Sequence, residues 1–224
     1  MANKKVNNTE AQAEVVAKKN FFQKYKNYLI GGAVVVVAGA GFLAYKSYAN
    51  KKHEAKAAAE AAAVQGAFYN NMGYMTDTVA INSSISQLEA YAKEFDDTKQ
   101  GNLAYAMQGV ELYKIGKFQE ALDVLGKYKD ADDAVVSAEV IGLQAACLAS
   151  LDKAAEAAAK FEAAADRADM ASFSAMYLMQ AADCYVAAGK NDKAAACYDK
   201  IKKNYPESYQ AASGQVDAYA ESVK

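Results

Sequence analysis

The side chains able to do chemistry are few and poorly spaced for it. Imidazole and thiol groups come from one histidine, His53, and three cysteines, Cys147, Cys184 and Cys197. A zinc or nucleophile site needs several such groups close together, whereas His53 has no second ligand beside it and no C-x-x-C pair occurs. His53 therefore reads as a solvated surface residue. Cys147 and Cys184 fall at the same place in a repeat described below, which points to packing, with a Cys184–Cys197 disulfide as the functional alternative. The remaining candidate is Gly39-x-Gly41-x-x-Ala44, which matches the dinucleotide fingerprint. That fingerprint requires a strand before it and a second strand ending in an acid roughly 20 residues on, and the segment KSYANKKHEAKAAAEAAA that follows offers none. No catalytic residue, cofactor, metal ligand or small-molecule substrate is left to name, so the expectation is a protein that is not an enzyme.

The elements that carry these residues read as helices. The chain has 224 residues, of which 51 are alanine and one is proline, with no tryptophan. Such usage favours helix and excludes all-β and collagen-like folds. A net charge of −2 argues against a nucleic-acid binder, which needs a positive field. Charge is unevenly spread: residues 1–27 hold six lysines and two glutamates, while residues 61–224 hold 15 basic and 23 acidic groups.

Between the two lies YLIGGAVVVVAGAGFLAY, 18 uncharged residues from Tyr28 to Tyr45. At 1.5 Å per residue it spans roughly 27 Å, close to a hydrocarbon core of ~30 Å. Tyr25, Tyr28, Tyr45 and Tyr48, with lysines on both flanks, suit the two interfaces of a membrane helix better than the surroundings of a buried core helix. A cleaved signal peptide fits less well, since the charged region before the run is long and no small-x-small site follows promptly. Residues 1–27 then form a cytoplasmic basic tail, orientation resting on the distant Lys4 and Lys5. Val15, Phe22 and Leu29 share a stripe of that tail, which is either an interfacial helix or a disordered segment.

Residues 46–72, alanine-rich and alternately charged, read as a helical stalk of up to ~40 Å. The rest, 73–224, shows the tetratricopeptide periodicity: small at position 8, large at 11, glycine near 15, alanine at 20, large at 24. Copies at 102–135, 138–171 and 175–208 supply Gly109, Ala145 and Ala182 at position 8. Ala121, Ala157 and Ala194 stand at position 20, and Leu125, Phe161 and Tyr198 at position 24. Gly116 and Gly189 hold position 15, where the second copy has Asp152. The longer intervals between copies are expected in loops at KYKDADDAVV and DRADMASF. A degenerate unit at 73–101 precedes the copies, and a capping helix at 208–223 with Ser208 as N-cap follows them. The fold class is thus all-α: a transmembrane helix followed by a tetratricopeptide α-solenoid.

The first helix of each unit lines the concave face of such solenoids. Positions 2, 5, 9 and 12 give Leu103, Ala106, Val110 and Tyr113 in the first copy, and Met176, Met179 and Asp183 in the third. The cations that clamp a terminal carboxylate are absent at positions 5 and 9, so the groove suits an apolar or amphipathic segment. The same residues could equally pack on the protein's own capping or N-terminal helices.

A basic tail with Phe21 and Phe22, one uncharged span, a tyrosine- and lysine-rich exit and then EAYAKEFDDTKQGNLAYAMQGVELYKIGKFQEAL together resemble the ancillary subunit of the bacterial SecYEG translocon. The resemblance implies a single-pass inner-membrane protein with a periplasmic repeat domain. Such a protein works beside the Sec translocon and a membrane-anchored prolyl isomerase, passes unfolded clients to periplasmic chaperones, and has no catalytic residues. A scaffold for a different cell-envelope complex would share these features.

Overall fold

The computed structural model describes residues 39–72, 77–131 and 133–223. The basic tail expected at 1–27, and the expected span as far as residue 38, lie outside them. The chain divides into two compact units, Met1–His53 and Glu54–Lys224. In the first, residues 39–53 are helical, so Gly39, Gly41 and Ala44 sit on a helix and make no strand-to-helix turn. Among the described residues no helix is long and apolar enough to cross a membrane.

The second unit is a run of helices, and no strand occurs among the described residues. Helical residues 54–70 (α1) are followed by α2 (Thr78–Glu94), α3 (Lys99–Lys114), α4 (Phe118–Leu125), α5 (Ala134–Ser150) and α6 (Ala154–Ala168). The series ends with α7 (Ala171–Ala187), α8 (Asn191–Asn204), α9 (Tyr209–Ala212) and α10 (Gln215–Ser222). From α2 to α8 the helices pack in hairpin pairs and pair on pair, and α10 returns onto α8. Neither helix of a pair can bury its apolar face alone, so the core is continuous from unit to unit. Ala121, Ala157 and Ala194 are fully buried, as are Ala145 and Ala182 where paired helices cross.

The turn inside each pair is built the same way three times. The N–H groups of Lys117, Lys153 and Lys190 donate to the carbonyls of Leu112, Leu148 and Tyr185 at 2.9, 2.9 and 2.8 Å. Closing that six-residue loop puts the residue before each lysine in the left-handed region: Gly116 at φ 76°, Asp152 at φ 59° and Gly189 at φ 68°. Aspartate tolerates this conformation better than most side chains, which is why the second copy dispenses with glycine.

Three expectations change. The stalk is not free along its length, since Ala57, Ala61 and Phe68 of α1 are buried against Leu88, Tyr91, Phe95 and Met107. Tyr91 Oη donates to the Ala57 carbonyl at 2.6 Å, and Lys56 pairs with Glu94. The partner of α2 is therefore α1, inside the segment read as stalk. The loop at DRADMASF shrinks to Asp169 and Met170, because α6 runs on to a left-handed cap at Asp169 and α7 starts four residues ahead of its copy. The capping helix is broken in two at Gly214, φ 74°, although Ser208 does accept a bond from the Ala211 N–H.

Candidate functional site

Helices α1, α3 and α5 border an apolar cavity of about 300 Å³ that opens to the surface. From the first copy it takes Leu103, Ala106, Met107 and Val110; from α5 it takes Val136, Glu139, Val140 and Leu143; from α1, Phe68 and Tyr69. Three of the expected groove residues, Leu103, Ala106 and Val110, thus come together. They do so because positions 2, 5 and 9 recur at three- to four-residue spacing on one face of α3.

The other expected residues do not join them at this cavity. Tyr113 turns to Phe118, ring centroids 5.2 Å apart, and packs with the core between α3 and α5. Met179 is buried and Met176 packs on the core around α6, α7 and α8. Asp183 is exposed on α7, and partial removal from water pushes its carboxyl up.

Phe68 and Tyr69 escaped sequence reasoning because their segment looked like a stalk. Glu139 was legible, since it occupies position 2 of the second copy. The wall that α1 provides is held by a polar clamp. Asn71 Nδ2 donates to Glu111 Oε1 at 3.0 Å, and Lys114 Nζ donates to the Asn71 carbonyl at 2.8 Å. Glu111 is fully buried, and among the described residues its Oε2 makes no hydrogen bond. It stands at the position that holds Cys147 and Cys184 in the later copies.

A second depression, of about 610 Å³, opens by the starts of α3 and α5 and has several carboxylates in its wall. Three of them have structural roles. Glu54 accepts from the Lys99 N–H, Asp133 caps α5, and Asp130 binds the Arg167 guanidinium, which holds its carboxyl below the usual range. Asn102 clamps the 126–133 loop through two 2.8 Å bonds to the Lys129 backbone. Among the described residues no group of three His, Cys, Asp or Glu is arranged to hold a metal ion.

The cysteines are thiols: Cys147 and Cys197 are buried and Cys184 half-buried. Burial pushes the Cys147 thiol up to about 11 and the Cys197 thiol up to about 12. They are packing groups with little thiolate character.

A stack of helix hairpins with an apolar cavity between its first helices defines an α-solenoid built for protein interaction. Residues 19–218 match the tetratricopeptide repeat-like domain family, and the chain belongs to it. Domains of this kind bind protein partners and are generally non-catalytic. No curated protein and no solved structure matched the chain.

Proposed function

We propose that the chain is a membrane-anchored, non-enzymatic scaffold that serves as an accessory subunit of the bacterial Sec translocon. In this role it holds apolar segments of emerging chains on the periplasmic side and hands them to chaperones. The observation that carries the docking role is the apolar cavity of Leu103, Ala106, Val110, Val140 and Leu143, buried or half-buried residues beside exposed Tyr69, since an apolar recess between the first helices of successive units suits the side chains of a partner segment. Anchoring is supported by the uncharged run Tyr28–Tyr45, and the family match begins at residue 19, ahead of that run. It is also supported by Phe42, Leu43, Tyr45 and Tyr48, each with about two-thirds of its surface exposed (65–71%). The translocon is favoured over other envelope complexes by the resemblance of Glu89 to Leu122.

The test is affinity purification of the full-length chain from gently solubilised membranes, read by mass spectrometry. Translocon subunits and secreted clients are expected with the wild type. With Val110→Asp the clients should disappear while helicity holds and the melting temperature falls only modestly, Val110 being half-buried beside the core of α1, α2 and α3. Recovery of a different envelope complex in place of the translocon would sink the specific assignment and leave the scaffold.

A further inference from the structure

We propose that the cavity between α1, α3 and α5 selects partner segments that present a bulky apolar side chain next to a lysine or arginine, with Glu139 as the group that reads the cation. The inference rests on the docking role proposed above and deepens it. At about 300 Å³ the cavity is at the bottom of the range for ligand pockets, roughly 300–1,000 Å³, which suits anchoring side chains of a chain better than a whole small molecule.

Glu139 is the only charged side chain among the described residues that line it. Its side chain is exposed, and among the described residues it makes no hydrogen bond or ion pair. Carboxylates elsewhere on the same repeats do have cations: Glu94 with Lys56, Glu120 with Lys117, Asp130 with Arg167 and Asp166 with Lys200. Lys114, the basic residue at position 13 of the first copy, is turned to the Asn71 carbonyl.

An apolar segment laid over the cavity strips water from Glu139. The carboxylate then loses solvation with nothing in return, unless the segment brings its own cation. Selection therefore works through the penalty on uncharged or acidic segments as much as through attraction. The wider field acts in the same sense, since residues 54–224 carry 16 basic and 25 acidic side chains, a net charge of −9. Such a surface steers basic segments inward and repels acidic ones.

The experiment uses the full-length chain purified in detergent and two fluorescent amphipathic peptides, identical except that lysines flanking a leucine anchor in one are glutamates in the other. By anisotropy the lysine peptide should bind the wild type roughly fivefold more tightly or better, a preference that salt weakens. Glu139→Lys, an exposed change that leaves the fold intact, should abolish or invert the preference. Glu221→Lys, which changes net charge equally but lies on α10, should leave it standing. Val110→Asp should weaken both peptides. A preference that Glu139→Lys does not move, or that Glu221→Lys removes just as well, overturns the charge reading and leaves the groove as a docking site. Peptide binding indifferent to Val110→Asp removes the groove itself. A dimer of the wild type that Val110→Asp dissociates, seen by light scattering, gives the cavity to a second copy and overturns the inference.

Discussion

Gly109 and Leu125 are packed too closely to admit a Cβ between them: one built on Gly109 would lie 2.4 Å from Leu125 Cδ2. The two residues are positions 8 and 24 of one unit, facing each other across its helix pair. In the later copies alanine fills position 8, so this pair crosses tighter than its neighbours. Leu125 is completely buried and has nowhere to swing.

Gly109→Ala should accordingly destabilise the domain by about 1–2 kcal/mol, overpacking outweighing the ~1 kcal/mol that alanine gains in helix propensity. Adding Leu125→Val should recover part of the loss. A urea titration checks this, and a more stable single mutant would show that the crossing is looser than described.

The left-handed residues give a test of opposite sign. Gly189→Ala forces a Cβ into φ 68° and should cost about 1 kcal/mol or more through backbone strain alone, since nothing lies within 4 Å of that Cβ for it to strike. Asp152→Gly relieves the same geometry at φ 59° and should be neutral or stabilising by up to ~1 kcal/mol. Equal and opposite shifts in melting temperature would confirm that one turn recurs in both copies.

That turn also explains what could be read in the sequence. Positions 8, 11, 15, 20 and 24 are constrained by packing inside one unit, so residue size alone reveals them. Asp152 in place of glycine kept the signal because aspartate shares the required backbone conformation. Helix starts were less visible, because Thr98 and Asp133 cap α3 and α5 ahead of the copies that the periodicity marks. α1 was hidden for a different reason. Its alanines at 57 and 61 are small enough to look like a solvated stalk, and it is the large partners Leu88 and Tyr91 on α2, with Phe95 at its C-cap, that give them a core to enter. With α1 misread, the part of the cavity wall that Phe68 and Tyr69 supply could not be foreseen.

The thiols make stability fall at alkaline pH. Burial raises Cys147 and Cys197 from 9.0 to about 11 and about 12, so the folded state holds these protons more tightly than the unfolded state. Their contribution is complete below pH 9.0 and is lost as pH climbs toward those folded values. The urea midpoint should decline between about pH 9 and 10, before the tyrosines take part, and the decline should flatten in Cys147→Ala/Cys197→Ala. In the folded protein at neutral pH, maleimide should label half-buried Cys184 first. Equal labelling of all three would contradict the burial.

Glu111 fixes the α1 wall through Asn71. Glu111→Ala removes the Oε1 acceptor from Asn71 Nδ2, which keeps its longer 3.4 Å bond to the Ala80 carbonyl, and should cost about 1–3 kcal/mol, with faster amide exchange at residues 64–72 than in the wild type. Glu111→Gln keeps an acceptor for Asn71 and should cost less. If exchange at the end of α1 is the same in all three proteins, the clamp is not what holds the wall.

The proposed topology puts everything after Lys46 outside the cytoplasm. In that proposal the uncharged run Tyr28–Tyr45 would make one crossing, and since its two flanks differ little in lysine count the orientation would depend on Lys4 and Lys5. Protease added to spheroplasts should remove the repeat domain and leave a membrane-bound fragment carrying the tail. The turns within the repeat pairs are tied by the Lys117, Lys153 and Lys190 backbone bonds, so cutting inside a pair is expected to be slow. Replacing Lys4 and Lys5 by glutamate should raise the inverted fraction, detected as domain that resists protease until the membrane is permeabilised. A wild-type domain protected in intact spheroplasts, with a periplasmic control digested, overturns the assignment. The cavity would then face cytoplasmic partners, and the proposed hand-over to periplasmic chaperones would fall with it.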